Sequence, residues 1–225
     1  MASRQDEKDR RRRDREAREQ AAARNAARGR TLRLGLVGAV VVAIVAGGAV
    51  FLLGSGGGPE LPERRITDLN AAVRAAGCEL RTFRSEGREH LSGPTLSREV
   101  RYRTNPPTSG THEEVAPEEG VYEPGTAPRE EAWVHLLEHG RILMQYRPGS
   151  DPARIAQLEQ LYEEPNQGAP SYHVVLMENT TRMPYQVAAV GWTAYVGCKQ
   201  VTDRTWDALR AFRDRYVDKA PELIP

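Results

Sequence analysis

Residues 135–146 read HLLEHGRILMQY, a segment in which a helical and a strand periodicity meet at one glycine. His135 and His139 are four residues apart, a spacing that brings two side chains together on one helix face. Gly140 is the residue type that commonly ends a helix. The alternation from Arg141 to Tyr146 is typical of a strand. The segment therefore predicts a short helix that passes directly into a strand.

Three other segments predict helices. Thr67 is suited to cap a helix from Asp68 to Ala76, Asp151 before Pro152 marks a second start, and an apolar stripe indicates a third helix over residues 203–217. Segments rich in Val, Ile or Tyr predict strands at Glu99 to Arg103, Ile142 to Tyr146, Tyr172 to Met177 and Gln186 to Val196. Helices and strands mix without regular alternation, so we predict an α+β domain with a small, mainly antiparallel sheet.

A separate apolar segment precedes this domain. Leu34 to Gly54 contains twenty-one residues without a charge, and a helix of about 20 apolar residues spans a bilayer core. Residues 1–33 carry twelve Lys and Arg against six acidic residues, and basic flanks stay in the cytoplasm. A cleaved signal peptide has a shorter apolar core, about 7–15 residues, behind a short basic start. We therefore predict an uncleaved, single-pass anchor in the cell membrane with a cytoplasmic N-terminus.

The predicted organisation has four parts. They are a basic cytoplasmic tail (1–33), a transmembrane helix (34–54), a Gly/Pro linker (55–62) and an extracytoplasmic globular domain (63–225). The lipid bilayer is then one partner. Acidic residues interleave with the arginines of the tail, which argues against nucleic acid as a partner. The chain shows no Gly-rich loop that would cradle a phosphate, so we expect no nucleotide or organic cofactor.

The chain has two cysteines, Cys78 and Cys198. In an oxidising compartment outside the cytoplasm, two cysteines favour a disulfide with only one possible connectivity. Free thiols and metal-bound thiolates are the alternatives.

Four of the five histidines, His90, His112, His135 and His139, lie in the first part of the domain. If residues 131–139 are helical, the rings of the last two can reach one metal ion; in a strand they would be about 13 Å apart. His112 follows a stiff segment that contains two prolines. These residues predict a transition-metal site. Imidazoles without thiolate suit zinc or copper(II), and the chain's methionines leave copper(I) open.

The segment from His135 to His139 also matches H-x-x-E-H, the pattern of inverted zinc proteases, in which the glutamate activates water. Glu138 is therefore a candidate catalytic base of a metal-dependent hydrolase. It could equally be an additional metal ligand or a partner that fixes the tautomer of an imidazole. Gly140 ends the helix early, however, and no downstream acidic cluster supplies the further ligand that such enzymes need. A non-catalytic module that binds another protein of the cell envelope is the second alternative. The residues leave open whether the protein is an enzyme.

Several short motifs resemble the bacterial domain of unknown function 3105 family. They are Glu89-His90, Tyr102 followed by Pro106-Pro107-Thr108-Ser109-Gly110 and His112, Val134-His135 with Leu137-Glu138-His139-Gly140, and Ala220-Pro221-Glu222. Family members often have asparagine at the position of Leu136 and proline at that of Thr111. The resemblance implies an exported, often membrane-anchored domain and points to the same four histidines. It implies no particular activity.

Overall fold

The computed structural model describes residues 60–222. In chain order its elements are α1 (Leu69–Ala76), β1 (Glu79–Thr82), β2 (His90–Leu91), a 3₁₀ turn (Gly93–Ser97), β3 (His112–Glu113), α2 (Glu130–Glu138), β4 (Ile142–Tyr146), α3 (Pro152–Glu163), β5 (Val174–Glu178), β6 (Val187–Gly191), β7 (Ala194–Cys198) and α4 (Thr205–Tyr216). The predicted tail, transmembrane helix and most of the linker lie outside the described residues. Between residues 60 and 222, no helix has the length and apolar character needed to cross a membrane.

Five strands form the main sheet in the order β1-β7-β6-β4-β5. All neighbours are antiparallel except β4 and β5, which are parallel. The remaining two strands, β2 and β3, form a separate parallel pair. The α+β class and the mainly antiparallel sheet are thus confirmed.

Both faces of the main sheet are covered. Along β4, Ile142, Met144 and Tyr146 belong to a core that includes α1, α3 and α4. Leu143 points to the opposite face, where it belongs to a second core with Trp133 of α2. Successive strand residues alternate between faces, so one strand contributes to both cores. The strand that follows α2 is therefore buried on both sides and holds the end of that helix in place.

The predicted transition from helix to strand is confirmed. Helix α2 ends at Glu138, His139 is its C-cap, and Gly140 follows with a φ of 81°. This left-handed conformation favours glycine. The close approach of Asp218 adds a second constraint, because a Cβ atom on Gly140 would lie 2.8 Å from the Asp218 Cα.

We expect Gly140→Ala to lower the free energy of unfolding by about 2–3 kcal/mol, because it combines backbone strain with overpacking. Gly149→Ala is the matched control: Gly149 also has a positive φ of 73°, but a Cβ there meets no atom within 4 Å. The control should lose only about 1 kcal/mol. Urea denaturation of both variants measures the difference. Equal losses would show that the contact with Asp218 has no energetic weight.

Two strand predictions need correction. Glu99 to Arg103 is not a strand; the Arg103 amide donates to the Glu86 carboxylate, and the Tyr102 hydroxyl donates to the Thr111 carbonyl. Hydrogen bonds between side chains and the backbone replace here the hydrogen bonds that a neighbouring strand would make. The single strand predicted from Gln186 to Val196 is a hairpin, β6 and β7, because the chain turns at a Thr193 with a φ of 57°.

The helix predictions agree more closely with the structure. Asp68, rather than Thr67, caps α1 through a bond from the Ala71 amide, and Gly77 ends the helix in the left-handed conformation. The other two predicted helices correspond to α3 and α4.

The disulfide prediction is confirmed. Cys78, two residues beyond α1, is bonded to Cys198 at the end of β7, and their Cα atoms are 4.4 Å apart. The bridge ties the segment after α1 to β7, the strand next to the edge strand β1, across a sequence separation of 120 residues.

Candidate metal centre

Four side chains from three segments converge at the end of α2. One potential ligand atom from each lies within 4.8 Å of the corresponding atoms of the others. The four residues are His90, His112, His135 and Glu138. The structure therefore brings together three of the four predicted histidines and adds the carboxylate between His135 and His139 in sequence.

The pairing of β2 with β3 aligns two of these residues. His90 lies opposite His112 in the parallel register, and the His112 amide donates to the Glu89 carbonyl at 2.9 Å. Their ring centroids are 4.6 Å apart. Residues paired across two strands share a face, and helix α2 packs against β3. This packing brings the third imidazole, from His135, to within 5.1 Å of the His90 ring centroid.

Backbone carbonyls determine which nitrogen of two rings is free. The Nδ1 of His112 is 2.7 Å from the Gly110 carbonyl, and the Nδ1 of His135 is 2.6 Å from the Glu113 carbonyl. A carbonyl oxygen only accepts hydrogen bonds, so each Nδ1 carries the proton. In the neutral rings, each Nε2 then keeps its lone pair. Hydrogen bonds of this kind commonly orient metal-binding histidines.

Glu138 is the acidic centre of the cluster and is fully buried. Its Oε2 lies 2.9 Å from the Nε2 of His112 and 3.2 Å from the Nε2 of His90. Burial lowers the pKa of His112 and so favours the neutral ring. When neither atom carries a proton, the Nε2 lone pair and the carboxylate oxygen are two acceptors at this distance, and a cation between them, either a proton or a metal ion, makes the contact favourable. The arrangement fits a shared metal ion.

His139 adjoins this set without belonging to it. Its Nε2 is 2.9 Å from the Nε2 of His135, as the helical spacing predicts, and 3.8 Å from a carboxylate oxygen of Glu222. Burial lowers the pKa of His139. A neutral ring there can donate to the Nε2 of His135 when no metal is bound, or supply a further ligand when one is.

The cluster reaches solvent on one side. The His90 side chain is 37% exposed, whereas the other three ligand residues are buried. Arg88 and Glu222 lie at this rim: the Arg88 Nε is 3.7 Å from the Glu138 Oε1, and the Glu222 amide donates to the Glu138 carbonyl. The sequence analysis assigned no role to Arg88, since a lone arginine carries no motif. Glu222 entered only as part of the resembling terminal motif.

The other metal-binding options can now be compared with the structure. Both cysteines are bridged, so thiolate ligation is excluded. The methionines that left copper(I) open are buried in the two cores: Met144 in the first, and Met177 and Met183 in the second. The residues that could hold a metal ion here offer imidazole nitrogens and a carboxylate.

Comparison with known proteins gives one match. Residues 95–223, more than half of the chain, match a family model described as "Protein of unknown function (DUF3105)". Neither the curated proteins nor the solved structures contain a match. All candidate site residues except His90 lie within the matched range. The chain therefore belongs to the DUF3105 family of proteins of unknown function.

Proposed function

We propose that this domain binds one divalent transition-metal ion through His90, His112, His135 and Glu138. The observation that carries the proposal is the orientation of His112: a backbone carbonyl holds its Nδ1 proton, and its Nε2 faces a buried carboxylate oxygen at 2.9 Å. A metal ion at this point would bind both atoms, in place of the proton that the metal-free pair would share. Because Glu138 is buried, the ion also compensates a charge that would otherwise be costly.

Zinc(II) is our first choice for the ion. Imidazole and carboxylate ligands at about 2.0–2.2 Å in a tetrahedron place neighbouring ligand atoms roughly 3.4 Å apart. The contacts from Glu138 to His90 and His112, at 3.2 and 2.9 Å, are close to that separation, and all four ligand atoms lie within 4.8 Å of one another. Copper(II) accepts the same ligand types but prefers a tetragonal geometry.

Metal analysis of the purified full-length protein tests the proposal. Prepared without chelators, the protein should contain one equivalent of zinc or copper by inductively coupled plasma mass spectrometry. Electron paramagnetic resonance distinguishes the two, since copper(II) gives a signal and zinc(II) gives none. Protein with no stoichiometric transition metal, and no affinity for added zinc or copper, contradicts the proposal.

The role of Glu138 can be tested separately. We expect Glu138→Gln to weaken zinc binding by at least about 100-fold, because it removes the only negative charge among the four ligands. Isothermal titration calorimetry measures the change. Glu131→Gln is the matched control: Glu131 is also buried on α2, but its carboxylate lies 3.2 Å from Arg129 instead of in the cluster.

The two alternative functions, a metal-dependent hydrolase and a non-catalytic envelope module, predict different experimental results. If Glu138 is the base of a metal-dependent hydrolase, Glu138→Gln retains the ion and loses only turnover. If the domain is a non-catalytic envelope module, a chelator leaves the melting temperature unchanged and the domain captures a protein partner. The buried position of Glu138 between two imidazoles favours the ligand role over both.

We also propose that the metal site lies outside the cytoplasm, on a domain anchored by residues 34–54. The uncharged segment, its basic flank and the disulfide support this location, because disulfides persist in oxidising compartments. Alkaline phosphatase fused after residue 225 should be active, since that enzyme requires export. If this fusion is inactive and a reporter that works only in the cytoplasm is active at the same position, the C-terminal domain lies in the cytoplasm and the proposed topology is wrong.

A further inference from the structure

Arg88 stands at the open rim of the cluster with its guanidinium loosely held. Its Nε is 3.7 Å from the Glu138 Oε1, and its Nη1 is 3.7 Å from the Glu222 Oε1. Both distances exceed that of a hydrogen bond. The side chain is 50% exposed. Arg88 is thus attracted to these two carboxylates but hydrogen-bonded to neither.

The backbone directs Arg88 to the same side as the metal ligands. Residues 87–91 run alongside residues 110–114. The Gly110 amide donates a hydrogen bond to the Gly87 carbonyl, and the Glu114 amide donates one to the Leu91 carbonyl. In such an extended segment, residues two apart share a face. Arg88 therefore lies on the face that carries His90, the only partly exposed member of the ligand set.

The Oε1 of Glu138 adds a second observation. This oxygen is buried and has no hydrogen-bond partner within residues 60–222. Its nearest cationic group is Arg88, which approaches from the solvent side. The carboxylate therefore contacts the imidazoles through Oε2 and faces the arginine through Oε1.

Charge at the rim indicates what the occupied site would attract. A divalent ion and Arg88 contribute three positive charges, while Glu138 and Glu222 contribute two negative ones. The neighbouring Glu89 and Arg98 offset each other through an ion pair at 3.1 Å. With neutral histidines, one positive charge remains beside a solvent-facing guanidinium. That charge attracts a small anion, and a single monoanion is enough to balance it.

We propose that the metal-loaded site binds a small monoanionic carboxylate, with one oxygen on the ion beside His90 and the other on Arg88. This inference rests on the proposed metal site and names its ligand class. The planar guanidinium matches the two coplanar oxygens of a carboxylate. Zinc can expand from four to five ligands to accept one oxygen. Arg88 is then a binding residue that selects the anion.

Cobalt(II) in place of zinc provides the readout, because its visible spectrum changes when a ligand joins the metal. Full-length protein loaded with cobalt(II) is titrated with sodium acetate at constant ionic strength. We expect a saturable spectral change in the wild type. In Arg88→Met, cobalt(II) should remain bound while the affinity for acetate falls about 10–100-fold.

Two variants and a second anion complete the experiment. Arg101→Met removes an exposed arginine whose ion pair with Glu99 is not part of the charge count at the rim, so acetate affinity should stay at the wild-type value. Arg88→Lys keeps the charge without the planar fork and should recover only part of the affinity. Inorganic phosphate is the competing anion, and the carboxylate class requires that it bind more weakly than acetate.

The outcomes separate this inference from the metal site itself. Protein that does not bind cobalt(II) or zinc(II) overturns both. Retained cobalt(II) with equal acetate affinity in the wild type and Arg88→Met overturns the anion site and leaves the metal site standing. Phosphate binding as tight as acetate overturns the carboxylate class. Circular dichroism of each variant shows that a lost response does not come from unfolding.

Discussion

Replacing His112 by alanine should abolish stoichiometric binding of zinc or copper(II). The imidazole is fully buried, its Nδ1 is held by the Gly110 carbonyl, and its Nε2 is the nitrogen closest to the Glu138 carboxylate. Its loss removes a ligand and leaves a cavity beside a buried charge. We expect affinity to fall by at least about 100-fold, since even the outer partners of metal ligands are worth 10–100-fold.

Thermal unfolding gives an independent measure of the same change. At a free zinc concentration about 1,000 times the dissociation constant, binding stabilises the native state by about 4 kcal/mol. For a chain of this length, that raises the melting temperature by roughly 10 °C. Zinc should produce this shift in the wild type. In His112→Ala, an affinity at least about 100-fold weaker leaves at most about 1.4 kcal/mol of stabilisation, roughly a third of the shift.

His173→Ala is the control for these measurements. His173 bonds to Asp218 at 2.6 Å and lies outside the four-residue cluster. Its variant should keep the metal-induced shift. A shift of undiminished size in His112→Ala contradicts the assigned ligand set, even if the protein contains metal.

The second large effect concerns the disulfide. Replacing both Cys78 and Cys198 by alanine should lower the free energy of unfolding by about 5 kcal/mol. The bridge closes a loop of 120 residues, so its loss releases much conformational entropy in the unfolded chain. Guanidinium denaturation measures the change.

Reduced wild-type protein is the control for the disulfide, because it loses the cross-link but keeps both sulfur atoms. It should lose most of the same free energy. The double variant should be slightly less stable still, since Cys198 is fully buried and alanine leaves a small cavity. A total loss below about 1 kcal/mol would mean that the unfolded chain is already compact without the bridge.

The sequence predicts those parts of the molecule that depend on neighbouring residues. The helix that ends at Gly140 and the strand that follows it are local patterns, and the structure confirms both. The helical spacing of His135 and His139 likewise brings their Nε2 atoms to 2.9 Å. The disulfide was predictable for another reason: two cysteines can pair in only one way.

The composition of the metal centre was predictable only in part. Sequence patterns indicated four histidines and left Glu138 open between a ligand, a partner of an imidazole and a catalytic base. The structure places its Oε2 beside two imidazoles. Arg88 had no signal at all. The carbonyls of Gly110 and Glu113 that orient two rings belong to the backbone, which carries no residue-specific pattern.

The sequence by itself determined the α+β class, the helix-to-strand segment that carries two histidines, and the cysteine pair. Only the tertiary structure decided that His90 lies opposite His112 and that α2 brings Glu138 to both. The physical reason is the length of β2 and β3, which are two residues each. Strands this short have no periodicity of their own, so their parallel register depends on packing against the rest of the domain.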